Sequence, residues 1–360
     1  NHCGAGHSWL AKAKKNKSAK ERSYFYWDKS VKHGYVGWWG LASLPKLNFN
    51  SVALKNEMYK GKNSIVRSWI SPKFGMSGWR IDVGNMTGRL GADDLHDDVM
   101  HGIRQAMNET NPDAWLVAEN GDFVASDLNG LGWHGAMNYQ GFMRPVWNWL
   151  NRNSEIGGGF QGLPFAMPQI SGQQLINSMK QFNASVPWRS VTASMVLLDS
   201  HDTARFRTVV KGDVASHLSA MTMVLTYPGV PSIFAGDEIG LEGSWGEDGR
   251  RTINWEDRSR WDHTFMNNVR ELISIRKNND ALINGGLRWI AAEKDFILYL
   301  RESKEQSILI FVSRSAVNVK IDLADLGLQV SKTLYGHTAS GSKLAVKSKD
   351  AVQAIWEVTR

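Results

Sequence analysis

Cysteine is nearly absent from the 360-residue chain, and its single thiol, Cys3, excludes an internal disulfide framework. One run without a charged residue, residues 218–236, has the length of a membrane span. It contains Pro228, Gly229 and Pro231, which interrupt a helix. We therefore interpret the run as a helix, a turn and a buried strand, and we expect no contact with a membrane.

Acidic residues are scarce in the first 75 positions, which hold 14 Lys+Arg against 3 Asp+Glu, although the whole chain holds 42 and 35. A basic stretch of this kind can bind nucleic acid or another acidic surface. No recognisable nucleic-acid-binding motif surrounds these lysines. We interpret them as a solvated surface and expect no nucleic acid as a partner.

Short apolar segments alternate with segments of helical periodicity from about residue 76, which is typical of a parallel α/β fold. The helix after the first strand begins near Asp93 and Asp94, whose carboxylates suit an N-cap and a first turn. After residue 280 the pattern changes to short alternating strands, which predicts an antiparallel β domain. The predicted strands are residues 78–83, 114–119, 135–139, 194–200 and 230–235 in the first region, and 295–301, 306–312, 317–321 and 351–358 in the second.

Three acidic residues, Asp82, Glu119 and Asp202, lie at or just beyond the carboxyl ends of predicted strands. In an α/β barrel that edge carries the catalytic residues. Arg80 lies two positions before Asp82 and therefore on the same side of its strand. Each carboxylate taken alone is more simply a cap or an ion-pair partner. His201 adjoins Asp202, but no third ligand at a suitable spacing completes a metal site in the sequence.

The segments that carry these acids resemble those of a known family when they are taken together. Residues 78–83 (GWRIDV), 117–120 (VAEN) and 198–203 (LDSHDT) are similar, in order, to the second, third and fourth signature regions of the α-amylase family of glycoside hydrolases. Residues 229–240 resemble the family's eighth-strand motif, whereas residues 250–255 resemble the following Arg-Pro-Met motif only loosely.

The first part of the chain extends this resemblance. Asn1 and His2 are similar to the end of the first signature region. Residues 44–48 (LPKLN) have the form found in the branch of neopullulanases, cyclomaltodextrinases and maltogenic amylases.

The resemblance implies a catalytic role for each of the three acids. Asp82 matches the nucleophile, which forms a β-glucosyl-enzyme ester, and Glu119 matches the general acid/base. Asp202 matches the third carboxylate, which binds sugar hydroxyls and favours an oxocarbenium-like transition state. Arg80 matches the arginine that orients the nucleophile.

The resemblance also implies residues that bind substrate and leaves a metal site open. His2 and His201 match the histidine pair that hydrogen-bonds the sugar in the cleaved subsite. Many family members carry Lys-His on the leaving-group side where this chain has Asn85 and Met86, which favours short maltodextrins or cyclodextrins over starch. Asn1 occupies a position that binds calcium in many amylases, but the branch resembled here often lacks that site. No cofactor is required, and Ca²⁺ at Asn1 stays open.

The fold implied by the resemblance is an α/β (β/α)8 TIM barrel with an excursion domain and a C-terminal antiparallel β-sandwich. The chain is expected to begin after barrel strand 3. Residues 1–75 then form the end of that strand and the excursion, residues 76–279 form barrel units four to eight, and residues 280–360 form the β domain. A preceding segment of the same polypeptide is expected to supply strands one to three. A homodimer is possible, and the compartment is open, with the cytoplasm preferred.

The expected activity is retaining hydrolysis of α-1,4-glucosidic bonds in an α-glucan oligosaccharide, a maltodextrin or a cyclodextrin. A glucanotransferase or a trehalose-synthase-type isomerase would use the same glycosyl-enzyme and differ only in the acceptor. A non-catalytic glucan-binding relative is a remote alternative, since such proteins typically lose the acids and all three are present.

Overall fold

The computed structural model describes residues 1–121, 123–151 and 167–360. The described residues form two compact units, Asn1–Met137 and Asn138–Arg360. The predicted divisions after residues 75 and 279 fall inside these units and stay predictions. No described helix is long and apolar enough to cross a membrane.

The first unit contains a parallel sheet in the order β1-β4-β5. β1 pairs in register with β4 from Gly78↔Trp115 to Ile81↔Ala118. A side chain at Gly78 would collide with the backbone of Trp115, so glycine permits this close pairing. The strands of this unit are β1 (Gly78–Ile81), β2 (Arg89–Leu90), β3 (Asp93–Asp94), β4 (Trp115–Ala118) and β5 (Gly135–Ala136).

Around this sheet, the first unit packs four helices and an irregular basic segment. The lysines of residues 12–20 are exposed, as the solvated interpretation of the charge pattern predicts. Asp93 and Asp94 do not occupy the N-cap of the fourth helix: they form β3, which pairs with β2, and Leu95 is the N-cap residue. Asp94 Oδ1 still accepts from the His96 N–H at 3.5 Å. The prediction of a carboxylate at the N-cap was wrong. The helices are α1 (Ser8–Lys15), α2 (Val52–Lys55), α3 (Ile65–Ile70) and α4 (His96–Thr110).

The second unit contains the parallel pair β6 (Met195–Val196) and β7 (Val230–Pro231). α9 (Val214–Thr226) ends four residues before β7, which confirms the helix, turn and strand interpretation of the uncharged run. Asp213 caps α9, and its carboxylate accepts from the backbone N–H groups of Ala215 and Ser216. The remaining helices are α5 (Arg144–Leu150), α6 (Gly172–Ser185), α7 (Trp188–Ala193), α8 (Phe206–Val209), α10 (His263–Lys277) and α11 (Asp280–Ile283).

The end of the second unit is antiparallel, as predicted. Five strands form one sheet in the order β12-β14-β10-β9-β8, and β11 and β13 form a second sheet. Apolar side chains from both sheets share one core, in which Leu309, Phe311, Leu344 and Trp356 are buried. These strands are β8 (Gly286–Ala292), β9 (Phe296–Glu302), β10 (Ser307–Ser313), β11 (Val317–Asp322), β12 (Gln329–Gly336), β13 (Lys343–Ser348) and β14 (Gln353–Thr359).

Candidate active site

Two carboxylates lie side by side at the carboxyl edge of the sheet in the first unit. Asp82 follows β1 and Glu119 follows β4, and these strands are neighbours with Ile81 opposite Ala118. The backbone continues the pairing, since the Glu119 N–H donates to the Ile81 carbonyl at 2.9 Å. The Asp82 side chain is 49% exposed, whereas that of Glu119 is 14% exposed. One acid therefore faces solvent and the other is largely buried beside it.

Arg80 connects the two carboxylates. Its Nη1 lies 2.6 Å from Asp82 Oδ1, and its Nη2 lies 3.5 Å from Glu119 Oε2. The sequence predicted that Arg80 would reach Asp82, and the contact with Glu119 adds a second acid to the same guanidinium. A guanidinium is planar and permanently charged, so Arg80 holds the two carboxylates close to each other at the edge of its plane.

His2 lies against the other oxygen of Asp82. Its Nε2 is 3.5 Å from Asp82 Oδ2, and its Nδ1 is 3.1 Å from Asn1 Nδ2. The Asn1 amide is a donor, so Nδ1 accepts and Nε2 carries the proton that points toward Asp82. Burial lowers the pKa of His2, and the Asp82 charge acts in the opposite direction. The imidazole therefore presents its Nε2 side to Asp82.

The chain turns sharply after Asp82 in a strained conformation. Val83 has φ 46° and ψ 51°, in the left-handed region that β-branched residues avoid. This conformation directs the Val83 N–H to Glu119 Oε2 at 2.6 Å. Gly84 follows, and a side chain there would lie 2.7 Å from Ala118 Cβ. Backbone strain is thus stored between the two acids, where it orients Glu119.

The predicted substrate residue Asn85 lies in the short helical turn Gly84–Met86 that follows Val83. Its carbonyl accepts from Arg89 Nη1 at 2.6 Å. The Met86 carbonyl accepts from Lys46 Nζ at 2.7 Å. This turn is therefore fixed at two successive backbone oxygens.

Lys46 is a site residue that the sequence reasoning did not single out, although it belongs to the quoted LPKLN motif. Its side chain is buried, and Nζ also donates to Asn1 Oδ1. Burial lowers the pKa of Lys46 to about 8.

A calcium ion does not fit the surroundings of Asn1. The oxygen that would bind the metal accepts from a positively charged ammonium instead. Within residues 1–121, 123–151 and 167–360, no group of three or more His, Cys, Asp and Glu side chains could hold a metal ion. Ca²⁺ prefers six to eight oxygen ligands that include carboxylates. No step of the chemistry below uses a metal.

The second unit contains the remaining predicted acid. Asp202 Oδ2 lies 3.2 Å from His201 Nε2, and Asp202 Oδ1 lies 3.0 Å from Arg250 Nη2. Arg250 Nε also donates to the His201 carbonyl at 2.7 Å. Arg250 was missed as a site residue because its segment resembles the family motif only loosely. The side chains of His201, Asp202 and Arg250 are partly exposed and contact one another.

Arg205 binds the backbone of Gly249, the residue before Arg250. It is buried, and its guanidinium donates to Asp237 Oδ1 at 2.8 Å and to the carbonyls of Ala235 and Gly249 at 3.0 Å. Asp199 and Asp237 hydrogen-bond each other, and burial raises the pKa of both. The charge of Asp199 further raises the pKa of Asp237.

A cavity of about 620 Å³ opens beside this group. It is lined by His201, Arg205, Phe234, Arg250 and Trp255 among others, and Trp255 is 62% exposed. An exposed indole next to arginine donors provides an apolar face and polar groups of the kind that a sugar ring contacts.

The structure thus brings together Asp82, Glu119, Arg80 and His2 in one unit, with Asn1 and Asn85 nearby in the same network. It brings together Asp202 and His201 in the other unit. The roles of all these residues stay predictions, since a static arrangement does not test them.

Comparison with curated proteins gives partial matches. An amylopullulanase from Thermoanaerobacterium saccharolyticum is 31% identical over 286 residues, which are 72% of this chain and 21% of that protein. A cyclomaltodextrinase from a Bacillus species is 29% identical over 274 residues, 75% of this chain and 43% of that protein. The chain therefore spans less than half the length of these two relatives.

Solved structures match nearly the whole chain. A debranching enzyme from Nostoc punctiforme superposes with a TM-score of 0.82 at 25% identity, covering 99% of this chain and 74% of that chain. The cyclic α-maltosyl-(1→6)-maltose hydrolase from Arthrobacter globiformis has a TM-score of 0.78 at 21% identity, with 99% and 73% covered, and shows the fold alone.

The family model described as "Alpha amylase, catalytic domain" matches residues 1–261. Together with the match to the solved debranching enzyme, it supports a TIM barrel followed by a C-terminal β-sheet domain. The three strands expected before Asn1 stay a prediction. The chain belongs to the α-amylase family of glycoside hydrolases.

Proposed function

We propose that the protein hydrolyses α-1,4-glucosidic bonds in maltodextrins or cyclodextrins with retention of the anomeric configuration. The observation that supports this most strongly is the pair Asp82 and Glu119 on adjacent parallel strands, joined by one Arg80 guanidinium. Retaining glycosidases require two carboxyl groups about 5–5.5 Å apart. Both acids lie within 3.5 Å of one guanidinium, which supports a close pair of this kind.

Asp82 is the nucleophile in this mechanism. Its two oxygens lie against His2 and Arg80, which fix the orientation of the carboxylate. One oxygen attacks the anomeric carbon, while Glu119 gives its proton to the departing glycosidic oxygen. The products are a free sugar and a β-glucosyl ester on Asp82. Glu119, now ionised, takes a proton from water, which attacks the same carbon and regenerates Asp82.

Asp202 is proposed as the third carboxylate. His201 and Arg250 hold its two oxygens, so its position is fixed before a sugar binds. Such a carboxylate contributes by binding sugar hydroxyls more tightly in the transition state than in the ground state.

The substrate follows from the relatives and from one difference in sequence. Relatives named cyclomaltodextrinase and intracellular maltogenic amylase match 75% and 81% of the chain. Asn85 and Met86, in place of the Lys-His of many family members, point to the same short or cyclic glucans.

A second candidate is cleavage of α-1,6 branches, because the similar proteins include an amylopullulanase and a debranching enzyme. Pullulan, in which maltotriose units are joined by α-1,6 bonds, separates the two. Cleavage of α-1,4 bonds releases panose-type trisaccharides, whereas cleavage of α-1,6 bonds releases maltotriose. Glucanotransferase or isomerase activity would instead give longer oligomers or trehalose from maltotriose.

The test of the assignment is a set of isosteric variants. We expect Asp82→Asn and Glu119→Gln to lower kcat on maltotriose by at least about 10³-fold, since each removes a group that acts only in the transition state. Asp97→Asn, on the exposed first turn of α4, is the matched control and should change kcat less than twofold. Full turnover by Asp82→Asn would overturn the assignment.

A further inference from the structure

Lys46 is a buried cation that lies among neutral groups. Its side chain is 1% exposed. Nζ donates to the Met86 carbonyl at 2.7 Å and to Asn1 Oδ1, and it lies 5.2 Å from the centroid of the Trp38 ring. No carboxylate of the described residues forms an ion pair with it. Such burial is costly for an ammonium unless oxygen atoms and a π face replace its hydration, and here they do.

The two oxygens belong to the two segments that border Asp82. Met86 ends the turn that begins at the strained Val83. Asn1 donates through its amide to His2, whose Nε2 faces Asp82. One positive charge therefore connects the backbone after the nucleophile with the histidine beside it, which is what a divalent cation bound to the same oxygens would do.

We propose that the Lys46 ammonium is a built-in cation, which replaces a calcium ion between Asn1 and Met86 and fixes the turn after Asp82 without metal. Lys46 is in this view a positioning residue, because it acts on Asp82 through Met86 and through Asn1 and His2. The inference rests on the proposed function for its catalytic consequence only, and the metal response can be measured without any substrate.

The test is to replace the ammonium with a carboxylate, Lys46→Asp. The variant offers Ca²⁺ the Asn1 side-chain oxygen, the Met86 carbonyl and a new carboxylate, with water for the remaining positions. We expect Lys46→Asp to bind one Ca²⁺ with a Kd on the order of 10⁻⁴ M by calorimetry. Its urea midpoint should rise with Ca²⁺ and fall with chelator, because a ligand of the folded state stabilises that state. The unsubstituted protein should respond to neither.

Two further variants make the result specific. Lys17→Asp changes the same charge at an exposed lysine and should gain no response to Ca²⁺. Lys46→Met keeps the length and removes the charge. We expect it to lower kcat about 10-fold or more, with a smaller change in KM, and Ca²⁺ should not restore it.

Three results would overturn the proposal. The first is stoichiometric Ca²⁺ binding by the unsubstituted protein that is lost in Asn1→Ala. The second is a Lys46→Asp variant that ignores Ca²⁺ or stays unfolded in its presence. The third is a Lys46→Met variant with unchanged kcat and an unchanged urea midpoint. The first two results and the urea midpoint of the third need no substrate, so they can be distinguished from a failure of the proposed hydrolysis.

Discussion

Replacing Arg205 by leucine should cost more stability than almost any other single change in the second unit. The guanidinium is 2% exposed and bonds to Asp237, 3% exposed, to the buried Gly249 carbonyl and to the partly buried Ala235 carbonyl. Removing one partner of a buried ion pair costs about 3–5 kcal/mol. Each carbonyl that loses its donor adds about 1 kcal/mol. Because these losses share one site and partly relax, we expect a total near 5 kcal/mol.

The loss of stability in Arg205→Leu should increase as the pH rises. Without Arg205, the Asp199–Asp237 pair holds its protons more strongly, so its pKa in the folded protein rises further above the unfolded value. A raised carboxyl pKa gives stability at low pH that is lost as the pH rises. The deficit of Arg205→Leu relative to the unsubstituted protein should therefore be larger at about pH 8 than at about pH 5.

Urea unfolding followed by near-ultraviolet circular dichroism measures this loss. Arg270→Leu, at an exposed position on α10, is the matched control and should change the free energy of unfolding by less than about 0.5 kcal/mol. A loss below about 1 kcal/mol for Arg205→Leu, or a loss that grows toward low pH, would refute the reasoning.

Three further expectations concern single residues. Arg80→Lys should lower kcat roughly 10²-fold, because one ammonium cannot hold both Asp82 and Glu119; a kcat within twofold of the original would contradict this. Val83→Gly should leave the free energy of unfolding unchanged or raise it by up to about 1 kcal/mol, because relief of the left-handed strain offsets the flexibility of glycine. A decrease of more than about 1 kcal/mol would disprove strain at Val83. Burial holds the pKa of His217 well below its ordinary value of 6.5, so the folded state stays neutral while the unfolded state takes up a proton. Stability should fall as the pH drops through 6.5, and His217→Asn should flatten that slope in melting temperature; an unchanged slope would exclude His217 as its origin.

The placement of Asp82 and Glu119 at one sheet edge could be predicted from local sequence, whereas their catalytic roles came only from the family resemblance. Apolar segments ending in Asp82 and Glu119 mark two buried strands, and parallel pairing brings their carboxyl ends to one edge. Side chains alternate between the two faces of a strand, so the sequence predicted Arg80 beside Asp82, and the structure shows that contact. In the β domain, four predicted strands correspond to β9, β10, β11 and β14.

The rest of the site depends on contacts between residues far apart in sequence. Lys46 contacts Met86, 40 residues away in sequence, and Arg250 contacts Asp202, 48 residues away. No local sequence pattern predicts contacts over such separations. The left-handed Val83 is unpredictable from its type, because valine disfavours that conformation and only the surrounding fold imposes it.

Tertiary structure also overrode two local patterns. Asp93 and Asp94 look like a helix start, but pairing with β2 uses their backbone as a strand. β8, β12 and β13 were not predicted. In β12 the apolar residues are separated by serine, lysine and threonine, and in β13 a short apolar run is flanked by lysines, which gives a weak strand signal for partly exposed sheets.

The most direct measurement is to trap the glycosyl-enzyme. Glu119→Gln treated with α-maltosyl fluoride, whose leaving group needs no acid, should form the ester and then hydrolyse it slowly, because the general base is absent. Proteolysis and mass spectrometry should find one maltosyl adduct on the peptide that carries Asp82, and on Asp82 itself after fragmentation. An adduct on another residue, or release of β-maltose with no adduct, would contradict Asp82 as the nucleophile of a retaining enzyme.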